Sequence, residues 1–142
     1  MVVLSGIARA GVVYTTPDGV PLHWLDDEVS LVLDTNLPPS IDDTDLLQSF
    51  EWGVDAWNDL DCVPLSFTVD GIESCPGEIV DDGINCVVWV HNPELWRWPS
   101  HLVGITLVHF QGDTGQIVDT DMEFNAAYTT WSAQSECTNE AH

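Results

Sequence analysis

The sequence has no lysine and only two arginines, Arg9 and Arg97, against 24 aspartates and glutamates, for a formal net charge of −22. Phosphate backbones are held by Lys and Arg, so this balance excludes nucleic acid as a partner and disfavours anionic membrane surfaces. No stretch approaches the ~20 consecutive apolar residues of a membrane-spanning helix. No C-x-x-C pair occurs, which removes zinc-ribbon and thioredoxin-like chemistry. The five histidines, His23, His91, His101, His109 and His142, never stand three or four residues apart, so no HExxH zinc helix is present. A G-x-S-x-G nucleophile elbow and a phosphate-cradling loop are absent too. No residue of the chain is therefore assigned a catalytic role.

What is present fits one domain with a real core: 142 residues, 44% of them hydrophobic. The acidic surface generates a field that attracts cations. Four cysteines, Cys62, Cys75, Cys86 and Cys137, suit an oxidising compartment, and hence a secreted protein. They allow three full pairings. Cys75 and Cys86, which flank one short Gly/Asp-rich loop, are the pair to favour, and a set of free buried thiols is the alternative. At the N-terminus, Val2–Val13 is apolar and Ala8-Arg9-Ala10 has the small-x-small form of a signal-peptidase site. Residues 1–10 read as the remnant of a signal peptide, or else as an ordinary first strand, and residues 11–142 as a single domain.

Taken in order, Tyr14–Pro21 reads as a turn and Trp24 as an anchor on the core. Val29–Leu33 reads as a buried strand. Ser40 offers a helix N-cap, followed by Asp42, Asp43 and Asp45, where the helix dipole favours negative charge. Leu46, Leu47, Phe50, Val54 and Trp57 then recur at helical spacing, which predicts one long amphipathic helix ending near Leu60. Strands are predicted over Leu65–Val69, Ile84–Val90, Val103–Phe110 and Ile117–Phe124. The nearly all-apolar Ile84–Val90 reads as a central strand covered on both faces. The pattern predicts an α/β (α+β) fold, a twisted mixed five-stranded sheet with one long helix packed on it.

Three features carry candidate chemistry. In Gly115–Asn125, strict alternation places Asp119, Asp121, Glu123 and Asn125 on one strand face and Val118, Met122 and Phe124 on the other. The acidic face is either solvated or relieved by a cation. Trp96 and Trp98 form either a stacking platform for a sugar or peptide or a loop folded onto its own sheet. Asp81-Asp82-Gly83-x-Asn85 resembles calcium-loop chemistry and equally a turn into the next strand; it lacks the spacing and terminal Glu of an EF-hand. His109, on a strand, reads as a satisfied structural histidine.

The order of these pieces resembles the N-terminal half of a secreted bacterial matrixin-like metzincin, a zinc metallopeptidase. Thr16–Trp24 resembles the start of the mature domain. Phe50–Trp57 ahead of Leu65-Ser66-Phe67 resembles its first helix and second strand, and Asp82–Trp89 its third strand. Gly104–Phe110 and Gly115–Asn125 resemble the cleft-edge strand and the strand after it. The resemblance spans about residues 12–132. It implies a protease (hydrolase) acting on protein or peptide substrates, with Gly104, Ile105, Thr106, Leu107 and Val108 as the substrate-cleft edge. The family's zinc-binding HExxHxxGxxH helix is not in this chain, so zinc and hydrolysis belong to the full-length parent and the fragment alone is expected to be inactive. Calcium carries over at Asp121 and Glu123. A structural zinc is not expected: His109 falls near one of the family's zinc-binding histidines, but the His-x-Asp loop is missing and Val118 stands where another histidine would. The family's active-site helix would cover a sheet face lined by Val87 and Trp89, or by Val88 and Val90. The rival class is a secreted acidic calcium- or glycan-binding module without catalysis.

Overall fold

The structure, a computed structural model, describes residues 13–61, 64–76 and 81–133. The segment expected to be a signal-peptide remnant, Cys62, Cys137 and His142 lie outside these residues. The described elements are β1 (His23–Trp24), β2 (Glu28–Asp34), α1 (Asp43–Asn58), β3 (Ser66–Glu73), β4 (Cys86–Val90), β5 (Gly104–Phe110) and β6 (Gln116–Asn125). They form one α/β layer, a six-stranded sheet with one helix.

The strand path runs β1-β6-β4-β2-β3, with β5 also paired to β6. Pairings β1–β6, β2–β3, β2–β4 and β4–β6 are parallel, and β5–β6 is antiparallel. The expected five strands are corrected to six, and the expected mixture of directions to a sheet that is parallel except at β5–β6. The sixth strand, β1, is two residues long, too short to leave a periodic signal, and strand direction is set by crossovers rather than by local pattern. Parallel neighbours need a long connection, and α1 supplies it between β2 and β3.

β4 pairs on one side with β6 and on the other with β2, and its apolar run follows from covering of its faces: Cys86, Val87 and Trp89 are buried and Val88 and Val90 half-buried. Val87 and Trp89 project toward α1 and are fully buried, so they do not form an uncovered face. With Leu33 and Leu46 they make the core, against which Phe50, Met122, Phe124 and Trp131 pack. The Phe50 and Trp89 rings meet edge-on at 5.9 Å, and Phe124 lies 4.9 Å from Trp131.

Two local details depart from the sequence pattern. The helix is capped by Asp42, whose carboxylate accepts from the Thr44 N–H at 2.9 Å. Ser40 instead donates its hydroxyl to the Trp131 carbonyl. β3 also continues four residues past Val69, through the segment expected to be a loop. Gly71, at φ 116°, lets the chain pass a bulge opposite Leu31/Val32 and resume pairing.

In the last turn of α1, Trp57 is 59% exposed, while Asn58 ties the helix to β3, donating to the Phe67 carbonyl and accepting from the Phe67 N–H, both at 2.8 Å. Between helix and sheet lies an apolar cavity of about 560 Å³ reached by Phe50, Val54, Trp57, Phe67, Met122 and Phe124.

Candidate functional site

The acidic face of β6 is the buried one. Asp119 and Asn125 have no solvent-accessible surface, and Asp121 and Glu123 retain 4% and 6%. The expectation of a solvated face is thereby overturned. Two loops fold across it. The segment before β4 brings the Asp82 N–H to Asp119 Oδ2 at 3.3 Å, and the first residue of β4 brings the Cys86 N–H to Asp121 Oδ1 at 3.1 Å. The loop before β5 brings Arg97 and Trp98 to Glu123, at 3.0 Å to Oε1 and 2.7 Å to Oε2. Asn125 closes the far end, donating to the Ser100 and Leu102 carbonyls at 3.1 and 2.8 Å and accepting from the Tyr128 N–H at 2.9 Å. Asp119, Glu123 and Asn125 therefore each fix a loop, and Asp121 holds the start of β4.

The favoured disulfide, Cys75–Cys86, is formed, with Cα atoms 6.2 Å apart. It ties the end of β3 to the start of β4, so the Cys86 N–H that holds Asp121 sits on a covalently anchored residue. The Asp81–Asn85 segment is a turn. Asp82 Oδ1 accepts from the Ile84 N–H at 2.9 Å, and Gly83 takes φ 79°. The Asn85 side chain donates to the Ser30 carbonyl and accepts from the Thr120 N–H and hydroxyl, bridging β2 to β6. The tryptophan loop is folded onto its own sheet, with Trp96 5% exposed and its indole N–H on the Pro99 carbonyl.

The structure brings Asp121 together with Asp119 and His109, not with Glu123. In the β5–β6 ladder His109 is directly opposite Asp119, and Leu107 opposite Asp121. One ligating atom from each of His109, Asp119 and Asp121 lies within 4.8 Å of the others. This His/Asp/Asp group can hold a metal ion. His109 is not the satisfied structural histidine expected: its Nε2 is buried without a hydrogen-bond partner, and so is Asp119 Oδ1. Burial pushes the Asp119 carboxyl above its ordinary value, opposed by the Asp82 N–H and reinforced by the Asp82 charge. Burial also raises Asp121, opposed by the Cys86 N–H and reinforced by the charges of Asp119 and Asp82. The sequence showed Asp119 on the acidic face, and the matrixin resemblance placed His109 near one of the family's structural-zinc histidines, but the meeting of the two depends on cross-strand register.

Gly104–Val108 occupies β5, at the sheet edge. Gly104 is required there, because a Cβ would stand 2.6 Å from the Phe124 ring. Among the described residues no strand pairs with the side of β5 away from β6. His91 Nε2 lies 3.0 Å from the Asn36 carbonyl, and His101 is exposed. No helix of the described residues is long and apolar enough to cross a membrane. Comparison with protein-family models, with curated proteins and with solved structures found no match.

Proposed function

We propose that the chain is the N-terminal subdomain of a secreted, matrixin-like zinc-dependent endopeptidase. In this reading β5 forms the substrate-facing edge, and the hydrolytic residues are supplied by sequence outside this chain. The observation that carries it is the placement of Gly104–Phe110 as an edge strand with one side unpaired among the described residues. Such an edge offers alternate N–H and C=O groups to an extended peptide, which adds as a further strand. The apolar cavity beside α1 supports the same reading, since a further element packed there would complete the core. The disulfide is compatible with export. The rival calcium- or glycan-binding module has less support, because Arg97 and Trp98 engage both Glu123 oxygens and Trp96 is buried.

The test is a titration of isotope-labelled protein with an extended peptide. Amide resonance shifts concentrated over Gly104–Phe110 support the reading; shifts elsewhere, or none, count against it. Cleavage of quenched peptides should be undetectable with this chain alone, with or without Zn²⁺. It should appear in a product extended through any downstream HExxHxxGxxH segment. Zinc-dependent cleavage by the present chain would overturn the assignment of hydrolysis to residues outside it.

A further inference from the structure

We propose that His109, Asp119 and Asp121 form a divalent metal site across the β5–β6 ladder, built for a transition-metal ion such as Zn²⁺ or Mn²⁺ rather than for Ca²⁺. The site does not depend on the peptidase reading and differs from the calcium pair expected from sequence, Asp121 with Glu123.

Three observations carry it. The first is convergence. His109 and Asp119 are cross-strand partners, and Asp121 follows two residues along the same face. Their ligating atoms lie within 4.8 Å of one another. Ligands about 2.1 Å from a tetrahedral ion stand about 3.4 Å apart, so small side-chain rotations close the site.

The second is unmet bonding. Four buried side-chain polar atoms lack a hydrogen-bond partner among the described residues, and two of them, His109 Nε2 and Asp119 Oδ1, belong to this group. Asp119 is completely buried. A buried carboxylate oxygen without a partner is costly, and a cation bound by both atoms removes the cost. The described residues offer no side-chain cation for this purpose apart from His109 itself. Arg97, their sole arginine, is paired with Glu123.

The third is support around the ligands. Asp119 Oδ2 is held by the Asp82 N–H, and Asp121 Oδ1 by the Cys86 N–H beside the disulfide. Outer hydrogen bonds of this kind orient carboxylate ligands. The donor set then selects the ion. Ca²⁺ takes six to eight oxygens, whereas one imidazole with two carboxylates suits first-row transition ions.

The full chain, stripped of metal, is titrated calorimetrically with Zn²⁺, Mn²⁺ and Ca²⁺ in separate runs. One equivalent of Zn²⁺ or Mn²⁺ should bind, with Ca²⁺ at least ~100-fold weaker. Asp119→Asn and His109→Gln should each weaken binding by ~100-fold or more. Asp113→Asn, on the exposed β5–β6 turn, makes the same charge change as Asp119→Asn and should bind as the parent does. Melting curves verify that each variant folds. If His109→Gln fails to fold, the parent protein's visible spectrum with Co²⁺ and the displacement of its His109 ring resonances by Zn²⁺ decide the matter. Binding that survives in both site variants would reveal diffuse attraction to the acidic surface and overturn the proposal. Equal affinity for Ca²⁺, no saturable binding, or an unmoved His109 ring would overturn it too.

Discussion

His109 faces Asp119 directly across the β5–β6 ladder, and both Nε2 of the imidazole and Oδ1 of the carboxylate are buried without a partner. A histidine and an acid are thus sealed on one sheet face, with Asp121 beside them and the Asp82 charge close by. This arrangement leaves unmet polar bonding at one place, beside two carboxyls whose burial raises their protonation.

The pH dependence has a definite sign. Burial raises Asp119 and Asp121 in the folded state, so between the ordinary and raised values the folded protein binds more protons than the unfolded chain. Stability therefore falls as pH rises through the folded-state values, and is regained on acidification. In chelator at fixed ionic strength, Tm should rise as pH is lowered through the raised values toward the ordinary carboxylate range. Asp119→Asn, which removes the buried charge, should flatten this slope and stabilise the metal-free protein at pH 7 by about 1–3 kcal/mol. An unchanged slope in that variant would refute the assignment.

Asn125 ties three backbone groups from two segments to the end of β6 while fully buried. Asn125→Ala strands two carbonyls and one N–H. Each buried unsatisfied group costs about 1–3 kcal/mol, with some recovered by water, so a loss of about 2–4 kcal/mol is expected. Urea unfolding measures it, and a loss below about 0.5 kcal/mol, the size of an ordinary surface change, would show that the network contributes little.

The Cys75–Cys86 bridge spans 11 residues in sequence. Closing a loop of that size removes about 3 kcal/mol worth of unfolded-chain entropy. The double variant Cys75→Ser/Cys86→Ser should lower the denaturation midpoint accordingly. It should also speed amide hydrogen exchange at Cys86 or its replacement, where the N–H holds Asp121.

Two glycines should respond in opposite directions to alanine. At Gly104 the new Cβ meets the Phe124 ring at 2.6 Å, and overpacking of this kind costs about 1–3 kcal/mol. Gly53 lies inside α1 with nothing within 4 Å of a built Cβ, so Gly53→Ala should stabilise by about 0.5–1 kcal/mol. Paired thermal melts check both; a shared direction would contradict the packing described around β5.

The sequence alone determined the elements with strong local periodicity. The amphipathic stripe of α1, the apolar run of β4 and the alternation of β6 each follow from side-chain spacing, and the structure has all three within a few residues. The Gly/Asp-rich loop between Cys75 and Cys86 kept those cysteines close enough in the chain to favour their pairing, and the bond is present. Tertiary structure decided what such spacing does not encode. Alternation groups Asp119, Asp121, Glu123 and Asn125 on one face, but which face is covered depends on where the loops before β4 and β5 land. Here they land on the acids, because those side chains accept and donate the bonds that the loops' N–H and C=O groups need. The meeting of His109 with Asp119 is likewise a matter of register between strands, set by the β5–β6 turn and the β-bulge near Phe110. Strand direction, the bulge at Gly71 and the choice of Asp42 as cap depend on which groups come within bonding distance once the chain is packed, a constraint that a one-dimensional pattern does not carry.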